Sequence, residues 1–152
     1  MATIYLAGPI DNVSLDDAAN WREQAAACLN ERGHLVCDPN RVWVLSEAQR
    51  KTLSPCELAA IVEVDLHAVE TVDALVVWCD RNTIMCGTYI EVGWALALHK
   101  TMAFYSPSGA FPGFVSGLRG AVSSLSESKV ELFTDLSRAC GWLDSVFKGK
   151  RI

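Results

Sequence analysis

Two acidic residues, Asp65 and Glu91, stand in segments that are otherwise largely apolar. Glu91 is the one charged residue in the run from Gly87 to Leu98. Asp65 falls inside the apolar arc of a helix predicted over Pro55–Thr71, where successive residues turn by about 100°. Burying a bare carboxylate costs roughly several kcal/mol or raises the pKa of the group. An acid perturbed in this way, beside a cleft, is typical of catalytic sites.

A pair of carboxylates at one cleft can perform glycosyl-transfer chemistry. One carboxylate attacks the anomeric carbon as a nucleophile, and the other handles protons for the departing group. Each residue also has a structural interpretation. Asp65 can bond to a neighbouring loop or lie at the open end of the apolar stripe, and Glu91 can close a capping box with Thr88. Gly93, inside the same predicted helix, costs ~1 kcal/mol relative to alanine and indicates a close approach there.

Strands that could position these acids are predicted from short, nearly continuous apolar runs, which are typical of a sheet covered on both faces. Five such runs occur, at Thr3–Gly8, Leu35–Asp38, Asp73–Cys79, Thr101–Tyr105 and Val130–Phe133. Helical patterns alternate with them, so residues 1–152 are predicted to form one α/β domain with a flavodoxin-like parallel sheet in the order 2-1-3-4-5. Ligands are then expected at the carboxyl ends of strands 1 and 3, in the loops Ala7–Asp11 and Asp80–Gly87.

The first two helices are predicted from their end signals. Ser14 and Asp17 form a capping-box pair before a helix that Gly33 ends, and Ser54 and Glu57 form another pair before the next helix. This second helix, Pro55–Thr71, is expected to bury a stripe made of Leu58, Ile61, Val62, Leu66, Val69 and Val72.

Two further helices follow from the apolar periods. One is predicted from Gly87–Thr88 to His99, and the last over Thr134–Phe147. The segments Arg41–Leu53 and Ser106–Ser128 are the least regular and are predicted to be active-site or interface loops.

The composition excludes several classes of function. A net charge of −5 argues against nucleic-acid polymers as partners, although a helix N-terminus can still bind a small anion. No apolar run approaches the ~20 residues of a membrane span, and no basic leader precedes the first strand. The six cysteines form no CxxC pair and have no histidine at zinc-ligand spacing, which predicts a reduced, cytoplasmic protein without a metal site.

Several motifs resemble the nucleoside 2-deoxyribosyltransferase superfamily, which also contains N-glycosidases of nucleoside 5′-monophosphates. They are Ile4–Pro9, Asp65-Leu66, Thr71–Asp73 and Gly87–Ala95. The resemblance extends from Thr3 to about Lys100, and more weakly to Phe133. It implies a flavodoxin-like sheet, no metal or organic cofactor, and a homodimer or higher homo-oligomer whose sites are completed by a neighbouring subunit.

The resemblance also implies catalytic roles at matching positions. Glu91 looks like the nucleophile that forms a covalent glycosyl intermediate, and Asp65 like the acid that assists proton transfer at the base. Tyr5 looks like the strand tyrosine whose hydroxyl orients the nucleophile, although a strand aromatic fits the same position. Asp73 also matches a family aspartate, but it opens strand 3 away from the cleft and is expected to be structural.

Within the superfamily, the chain looks most similar to hydrolases of pyrimidine monophosphates such as CMP. This similarity lies in Leu53–Pro55, in the Gly87–Ala95 motif and in Phe114–Leu118. It implies that Ser116 of a neighbouring subunit contacts the phosphate. Arg41 and Trp43 would supply a cation and a stacking surface, although all three residues also fit exposed loops. The candidate substrate-binding residues are Gly8, Pro9, Ile10, Asp11, Arg41, Trp43, Met85, Gly87, Thr88 and Ser116.

Some positions depart from the pattern of the phosphate-binding members. Met85 stands where relatives carry serine or aspartate, and Asp11 stands near a phosphate-binding arginine, where a carboxylate repels phosphate by ~1 to 4 kcal/mol. The transferases' C-terminal tyrosine pattern is absent from Lys148–Ile152, which favours water as the acceptor. We therefore expect hydrolysis of the N-glycosidic bond of a pyrimidine (deoxy)nucleoside 5′-monophosphate. The alternatives are deoxyribosyl transfer between nucleobases and a non-catalytic nucleotide sensor.

Overall fold

A computed structural model of the chain describes residues 1–10, 13–42, 46–125 and 128–149. These residues form a five-stranded sheet in the order β2-β1-β3-β4-β5, in which every pair of neighbours is parallel. The strands are β1 (Thr3–Ala7), β2 (Leu35–Cys37), β3 (Ala74–Trp78), β4 (Thr101–Tyr105) and β5 (Val130–Phe133). The α/β fold and the strand order predicted from the sequence are confirmed, and the predicted bounds of the first three strands were one residue too long at one or both ends.

The described residues also form seven helices, two of them short. They are α1 (Leu15–Glu31), α2 (Pro39–Val42), α3 (Glu47–Lys51), α4 (Pro55–Thr71), α5 (Cys86–Ala97), α6 (Gly113–Leu125) and α7 (Leu136–Lys148). Ser54 and Glu57 form the complete capping box that was predicted for α4. At α1 the Ser14 side chain accepts from the backbone N–H of Asp17, which is one half of the predicted box. No helix of the described residues is both long enough and apolar enough to cross a bilayer.

The prediction of a loop over Ser106–Ser128 was wrong, because this segment contains helix α6. Its glycines and serines give it a low intrinsic helix propensity. Val115, Leu118 and Val122 recur at helical spacing, however, and their side chains are buried against the sheet. Packing therefore overrides propensity here. The irregular segment Arg41–Leu53 likewise contains the end of α2 and the whole of α3.

The side chains of each strand alternate between two cores. Tyr5 and Ala7 of β1 point to the face covered by α4, α5 and α6, whereas Ile4 and Leu6 point to the face covered by α1 and α7. The central strands β1, β3 and β4 are almost fully buried, as their continuous apolar sequences predicted. The sheet is therefore a middle layer between two layers of helices.

The apolar stripe predicted for α4 is only partly buried by this chain: Val69 and Val72 are buried, and Ile61 and Leu66 are half-buried. Val69 is the one fully buried residue of α4, and Leu58 and Val62 are each 48% exposed. The N-terminal half of the helix extends past the part of the core that α5 and the sheet provide, so its apolar side chains remain uncovered there.

The carboxyl ends of β1, β2 and β3 meet at one edge of the sheet. Tyr5 pairs with Cys37 on one side and with Leu75 on the other, and Ala7 pairs with Val77. The connections from β1 and β3 leave in opposite directions, so this edge is the topological switch point of the sheet, where α/β proteins bind ligands.

Candidate active site

Tyr5 and Glu91 meet at the switch point. The Tyr5 side chain is fully buried on the face of the sheet that α4, α5 and α6 cover, and its hydroxyl donates a hydrogen bond of 2.6 Å to Oε1 of Glu91. Glu91 lies in the middle of α5, which packs against β1 and β3. The burial of Tyr5 and the negative charge of Glu91 raise the pKa of the phenol well above its usual value, so Tyr5 remains a donor.

Asp65 is brought to the same place by α4, which packs beside α5. Its side chain is half-buried, and its charge acts on both Tyr5 and Glu91. The structure therefore brings together the three residues that the sequence singled out, from three separate elements. Their roles in catalysis remain predictions.

Both carboxyl groups hold their protons more tightly than a free side chain does. Burial raises the pKa of Glu91 to about 7; the Tyr5 hydrogen bond acts against this rise, and the charge of Asp65 adds to it. Burial raises the pKa of Asp65 to about 6, while the positive charge of Arg22 lowers it. Because the two groups interact, these values describe a pair that titrates together, and near pH 6.5 the pair holds about one proton.

The alternative role of Glu91 in a capping box with Thr88 does not occur. Helix α5 begins at Cys86 with Met85 as its N-cap, and no side chain caps it. Thr88 is therefore inside the helix and its side chain is buried. The side chain of Glu91 turns to Tyr5 instead of to the start of its own helix.

Arg22 is a residue of this region that the sequence analysis missed. Its side chain is completely buried, Nη2 donates 2.7 Å to the carbonyl of Gly8, and Nη1 donates 2.6 Å to the carbonyl of Ala18. Its Nε lies 3.5 Å from Oδ1 of Asp38, at the end of β2. Arg22 occupies the inner face of α1 between Ala18 and Leu29. The rule that singled out Asp65, a charge on an apolar helix face, would have found it.

The tight packing at Gly8 comes from the protein itself. A Cβ atom at Gly8 would lie 2.6 Å from Cζ2 of Trp21 and 3.3 Å from Cβ of Trp78. This approach requires a glycine at the end of β1, and the approach of a substrate to Gly8 stays a prediction. At Gly93 an added Cβ would meet nothing within 4 Å, so the close approach expected there does not occur within this chain.

The other predicted binding residues are spread around this edge. Pro9 is buried, and it lines a small cavity with Trp21 and Trp78. Ile10 is half-buried, Gly87 is exposed, and the Met85 side chain is 3% exposed within the core beneath α5. Burial therefore removes the Met85 side chain from the surface at which a ligand would arrive.

Ser116, Arg41, Asp11 and Trp43 have no described contact with the Tyr5–Glu91 pair. Ser116 is exposed on the first turn of α6, and its hydroxyl donates a long bond of 3.4 Å to the carbonyl of Pro112. Arg41 belongs to α2, but its side chain falls outside the described residues, as do Asp11 and Trp43 entirely. Among the described residues, no three His, Cys, Asp or Glu side chains cluster closely enough to hold a metal ion.

A surface hollow of about 300 Å³ lies away from the carboxylate pair. It lies along the outer side of α1 and is lined by Asp16, Asp17, Ala19, Asn20 and Glu23. Its residues are acidic or small, and none of them contacts Tyr5 or Glu91. We therefore base the candidate site on the Tyr5–Glu91–Asp65 geometry.

Parallel sheets with helices on both faces bind small ligands at their switch point. In this chain the Tyr5–Glu91 pair lies at that point. Residues 4–131 match the family described as nucleoside 2-deoxyribosyltransferase, which is most of the chain. The chain therefore belongs to the nucleoside 2-deoxyribosyltransferase family, and the resemblance seen in the sequence is confirmed.

Solved structures with similar folds include both kinds of protein expected from the sequence. A 2-deoxyribosyltransferase from Bacillus psychrosaccharolyticus superposes with a TM-score of 0.68 at 22% identity, covering 90% of this chain and 89% of that one. A CMP N-glycosidase from Clostridium botulinum superposes with a TM-score of 0.56 at 19% identity, covering 95% and 98%. A flavodoxin-like domain from Synechococcus gives 0.55 at 10% identity, covering 96% and 99%. These similarities show the fold, and no curated protein matches the chain in sequence.

Proposed function

We propose that the protein is an N-glycosidase that hydrolyses the bond between base and sugar in a pyrimidine (deoxy)nucleoside 5′-monophosphate. The observation that carries the proposal is the 2.6 Å hydrogen bond from Tyr5 to Glu91, with Asp65 beside it. A carboxylate held by a donor on one oxygen keeps its second oxygen for a reacting carbon. The membership of the family and the glycosidase-like fold support the same chemistry.

In the first step, Oε2 of Glu91 attacks the anomeric carbon as the bond from that carbon to the base nitrogen breaks. The bonding electrons leave with the base, and Asp65 supplies a proton to it. The negative charge of Glu91 stabilises the oxocarbenium-like transition state before the covalent ester forms. Tyr5 holds Oε1 in place, so that the carboxylate does not rotate during the attack.

In the second step, water attacks the anomeric carbon of the ester and releases Glu91. Asp65, now deprotonated, accepts a proton from this water, which returns both carboxyl groups to their starting states. The products are the free base and (deoxy)ribose 5-phosphate. No redox step is required. Asp65 gives one proton to the base and regains one from water, and the remaining hydroxyl group of the water stays on the sugar.

Deoxyribosyl transfer is the second candidate, because a specific observation favours it. The TM-score with the 2-deoxyribosyltransferase is 0.68, higher than the 0.56 with the CMP N-glycosidase. Transfer uses the same first step, and a second nucleobase replaces water in the second. The two activities therefore share Glu91, Asp65 and Tyr5 and differ in the acceptor.

A panel of nucleosides and their 5′-monophosphates, assayed by chromatography for released base, tests the proposal. Hydrolysis releases base and sugar phosphate from a pyrimidine monophosphate without an acceptor, whereas transfer yields a new nucleoside when a second base is added. A preference of tenfold or more for the monophosphate over the nucleoside, ~1.4 kcal/mol, would support the phosphate requirement. Binding of nucleotides with no turnover of any panel member would contradict both enzymatic functions and favour a sensor.

Replacing the proposed nucleophile separates chemistry from folding. Glu91→Ala should lower kcat at least 1,000-fold, on the order of 4 kcal/mol. Glu63→Ala is the matched control, because Glu63 is exposed on neighbouring helix α4. Mass spectrometry of the parent with a slowly hydrolysed 2′-fluoro substrate should find one glycosyl adduct on Glu91. Activity of E91A within tenfold of the parent would contradict the assignment.

We also propose that the site is completed by a second copy of this chain. Ile90, Trp94 and Leu98 form an exposed apolar line along α5, with exposures of 57%, 39% and 37%. The uncovered residues Leu58 and Val62 of α4 lie on the neighbouring helix. Ile90 adjoins Glu91, so a partner that covers this line would also approach the carboxylates, where it could offer its Ser116. The six free thiols are consistent with a reducing, cytoplasmic setting for such an assembly.

Sedimentation velocity tests the assembly. The parent should sediment as a dimer or larger, and Trp94→Glu should shift it towards the monomer and lower activity. Leu15→Glu is the control, since Leu15 is 50% exposed at the start of α1, away from this line. A parent that is monomeric at every concentration, or a W94E variant that assembles as the parent does, would contradict the proposal.

A further inference from the structure

Arg22 is the most deeply buried charged residue among those described, and its position is unusual for an arginine. The side chain starts on α1, passes over the ring of Trp21 with its Cζ 4.7 Å from the ring centroid, and ends at the carboxyl edge of the sheet. Burial lowers the pKa of the guanidinium, but an arginine remains protonated at all ordinary pH values. A full positive charge is therefore fixed inside the protein beside the candidate site.

The hydrogen bonds of Arg22 hold together the elements that border the site. Nη2 binds the carbonyl of Gly8, three residues after Tyr5, and Nη1 binds the carbonyl of Ala18 on α1. The side chain thus fixes the start of the loop after β1 against the helix that follows it. Because Gly8 also contacts Trp21, this loop has little freedom to move away from the sheet.

The ion pair with Asp38 only partly neutralises the positive charge of Arg22. The Nε–Oδ1 distance is 3.5 Å, and the buried Nε makes no hydrogen bond to any described residue. The other ionisable groups that face the guanidinium are Tyr5 on β1, Asp65 on α4 and Glu91 on α5. In the interior a positive charge acts over several ångströms, because little water screens it.

We propose that Arg22 is a positioning residue whose buried positive charge keeps one carboxylate of the Asp65–Glu91 pair ionised, while its bond to Gly8 fixes the loop after β1. The charge opposes the protonation that burial imposes on both acids. Without Arg22 the pair would hold more than one proton near neutral pH, and a protonated Glu91 cannot attack carbon. The catalytic consequence rests on the proposed function, whereas the effect on the titration of the pair does not.

Side-chain carboxyl NMR of protein labelled with ¹³C at glutamate and aspartate measures this effect without a substrate. Arg22→Gln keeps a hydrogen-bond donor and removes the charge, and it should raise the titration midpoints of Glu91 and Asp65 by about one pH unit, a tenfold change in proton affinity. Arg22→Lys keeps the charge and should leave the midpoints much closer to those of the parent. Arg32→Gln is the control: Arg32 is the C-cap residue of the same helix, where its side chain binds Cys28, and its loss should move neither midpoint.

The pH dependence of kcat/KM in the same variants tests the catalytic consequence. In R22Q the acidic limb of the pH profile of kcat/KM should move to higher pH by the same amount as the titration midpoints. At pH values above the shifted limb, the rate of R22Q should partly recover. In R22K the acidic limb should return to its position in the parent. Midpoints unchanged in R22Q, or raised equally in R22K and R22Q, would overturn the charge role. If the panel shows no glycosidase or transferase activity in the parent, the proposed function fails, and the NMR titration still decides the role of Arg22.

A variant that does not fold is still informative. If R22Q is unfolded, the double variant R22Q/E91Q carries the test, because E91Q removes a carboxylate that would otherwise be left buried without its cation. Recovery of a cooperative unfolding transition in the double variant supports the charge role. A double variant as unfolded as R22Q overturns it.

Discussion

The hydroxyl of Tyr5 lies 2.6 Å from Oε1 of Glu91, so that the buried strand β1 and the helix α5 are joined across 86 residues at one hydrogen bond. A tyrosine in this position does two things for a nucleophilic carboxylate. It fixes one oxygen in space, and by donating to the ionised form it opposes the rise in pKa that burial causes. Both effects can be removed by deleting a single oxygen atom.

Tyr5→Phe should therefore lower kcat/KM by about 10- to 100-fold, since a hydrogen bond to a charged group contributes roughly 1.5–3 kcal/mol. The acidic limb of the pH profile should also move to higher pH, because Glu91 loses the donor that favours its ionised form. Phenylalanine fills the same buried volume, so the fold should persist by circular dichroism. Tyr105→Phe, on β4, is the control. Equal profiles for Y5F and the parent would show that the bond only holds the core together.

The pH dependence of the parent follows from the carboxyl pair. With pKa values of about 7 for Glu91 and about 6 for Asp65, the singly protonated pair is most populated near pH 6.5. In that form the proton lies more often on Glu91, which has the higher pKa, and the proposed first step uses the less populated arrangement with the proton on Asp65. Both arrangements follow the same pH dependence, so kcat/KM should follow a bell with its maximum between about pH 6 and 7. Asp65→Asn should lower the maximum and flatten the alkaline limb. A parent profile that rises steadily to pH 9 would contradict a proton donor in this pair.

Glu91 should also make the protein less stable as the pH rises. Its pKa is raised from 4.5 to about 7 in the folded state, so the folded protein binds the proton more tightly than the unfolded chain does. The free energy of unfolding from this group is then highest below about pH 4.5 and falls as the pH rises through 7. Glu91→Gln removes this dependence, and urea denaturation should find the variant about 1–3 kcal/mol more stable than the parent at pH 8 and nearly equal at pH 4.5.

The control for this measurement is Glu63→Gln, because Glu63 is exposed on α4. It should change the stability little, and by the same amount at both pH values. If E91Q differs from the parent equally at pH 4.5 and pH 8, the carboxyl group of Glu91 is not the source of the pH dependence.

The sequence was sufficient to predict the parts of the fold and of the site that depend on pattern. Continuous apolar runs predicted the sheet and its order, and a charge on an apolar helix face pointed to Asp65 and Glu91 before any geometry was known. The hydrogen bond from Tyr5 was expected only through the family resemblance, because a strand aromatic has the same pattern whether or not its hydroxyl reaches a partner 86 residues away.

Other features could not be predicted because they depend on packing between distant segments. Helix α6 forms in spite of three glycines, since Val115, Leu118 and Val122 meet the sheet. The α4 stripe was expected to be buried, but a periodic pattern does not show whether the covering surface comes from the same chain. Arg22 differs from these features, because it is a charge on the apolar inner face of α1 beside Trp21 and Ala25, and the rule that pointed to Asp65 could have pointed to it.

Asp73 offers a contrast between a structural and a catalytic aspartate. Its Oδ2 accepts 2.8 Å from the backbone N–H of Thr3, at the amino edge of the sheet and far from the carboxylate pair. Asp73→Ala should lower the free energy of unfolding by about 1 kcal/mol and leave kcat/KM per folded molecule unchanged. Asp65→Asn should do the reverse at neutral pH, with lost activity and no loss of stability. A tenfold loss of activity in D73A at unchanged stability would contradict its structural role.

The contact between Gly8 and Trp21 predicts a cost that is purely steric. In Gly8→Ala the new Cβ would lie 2.6 Å from Cζ2 of Trp21, and backbone or ring must shift, which should destabilise the protein by about 1–3 kcal/mol. Gly141→Ala is the control of opposite sign, because an added Cβ on α7 meets nothing within 4 Å and alanine favours a helix by roughly 0.5–1 kcal/mol. Trp21→Phe removes the clashing atom, so in the double variant G8A/W21F the cost of G8A should fall by more than about 0.5 kcal/mol in a double-mutant cycle. Additive effects of the two substitutions would show that the ring of Trp21 is not the source of the cost.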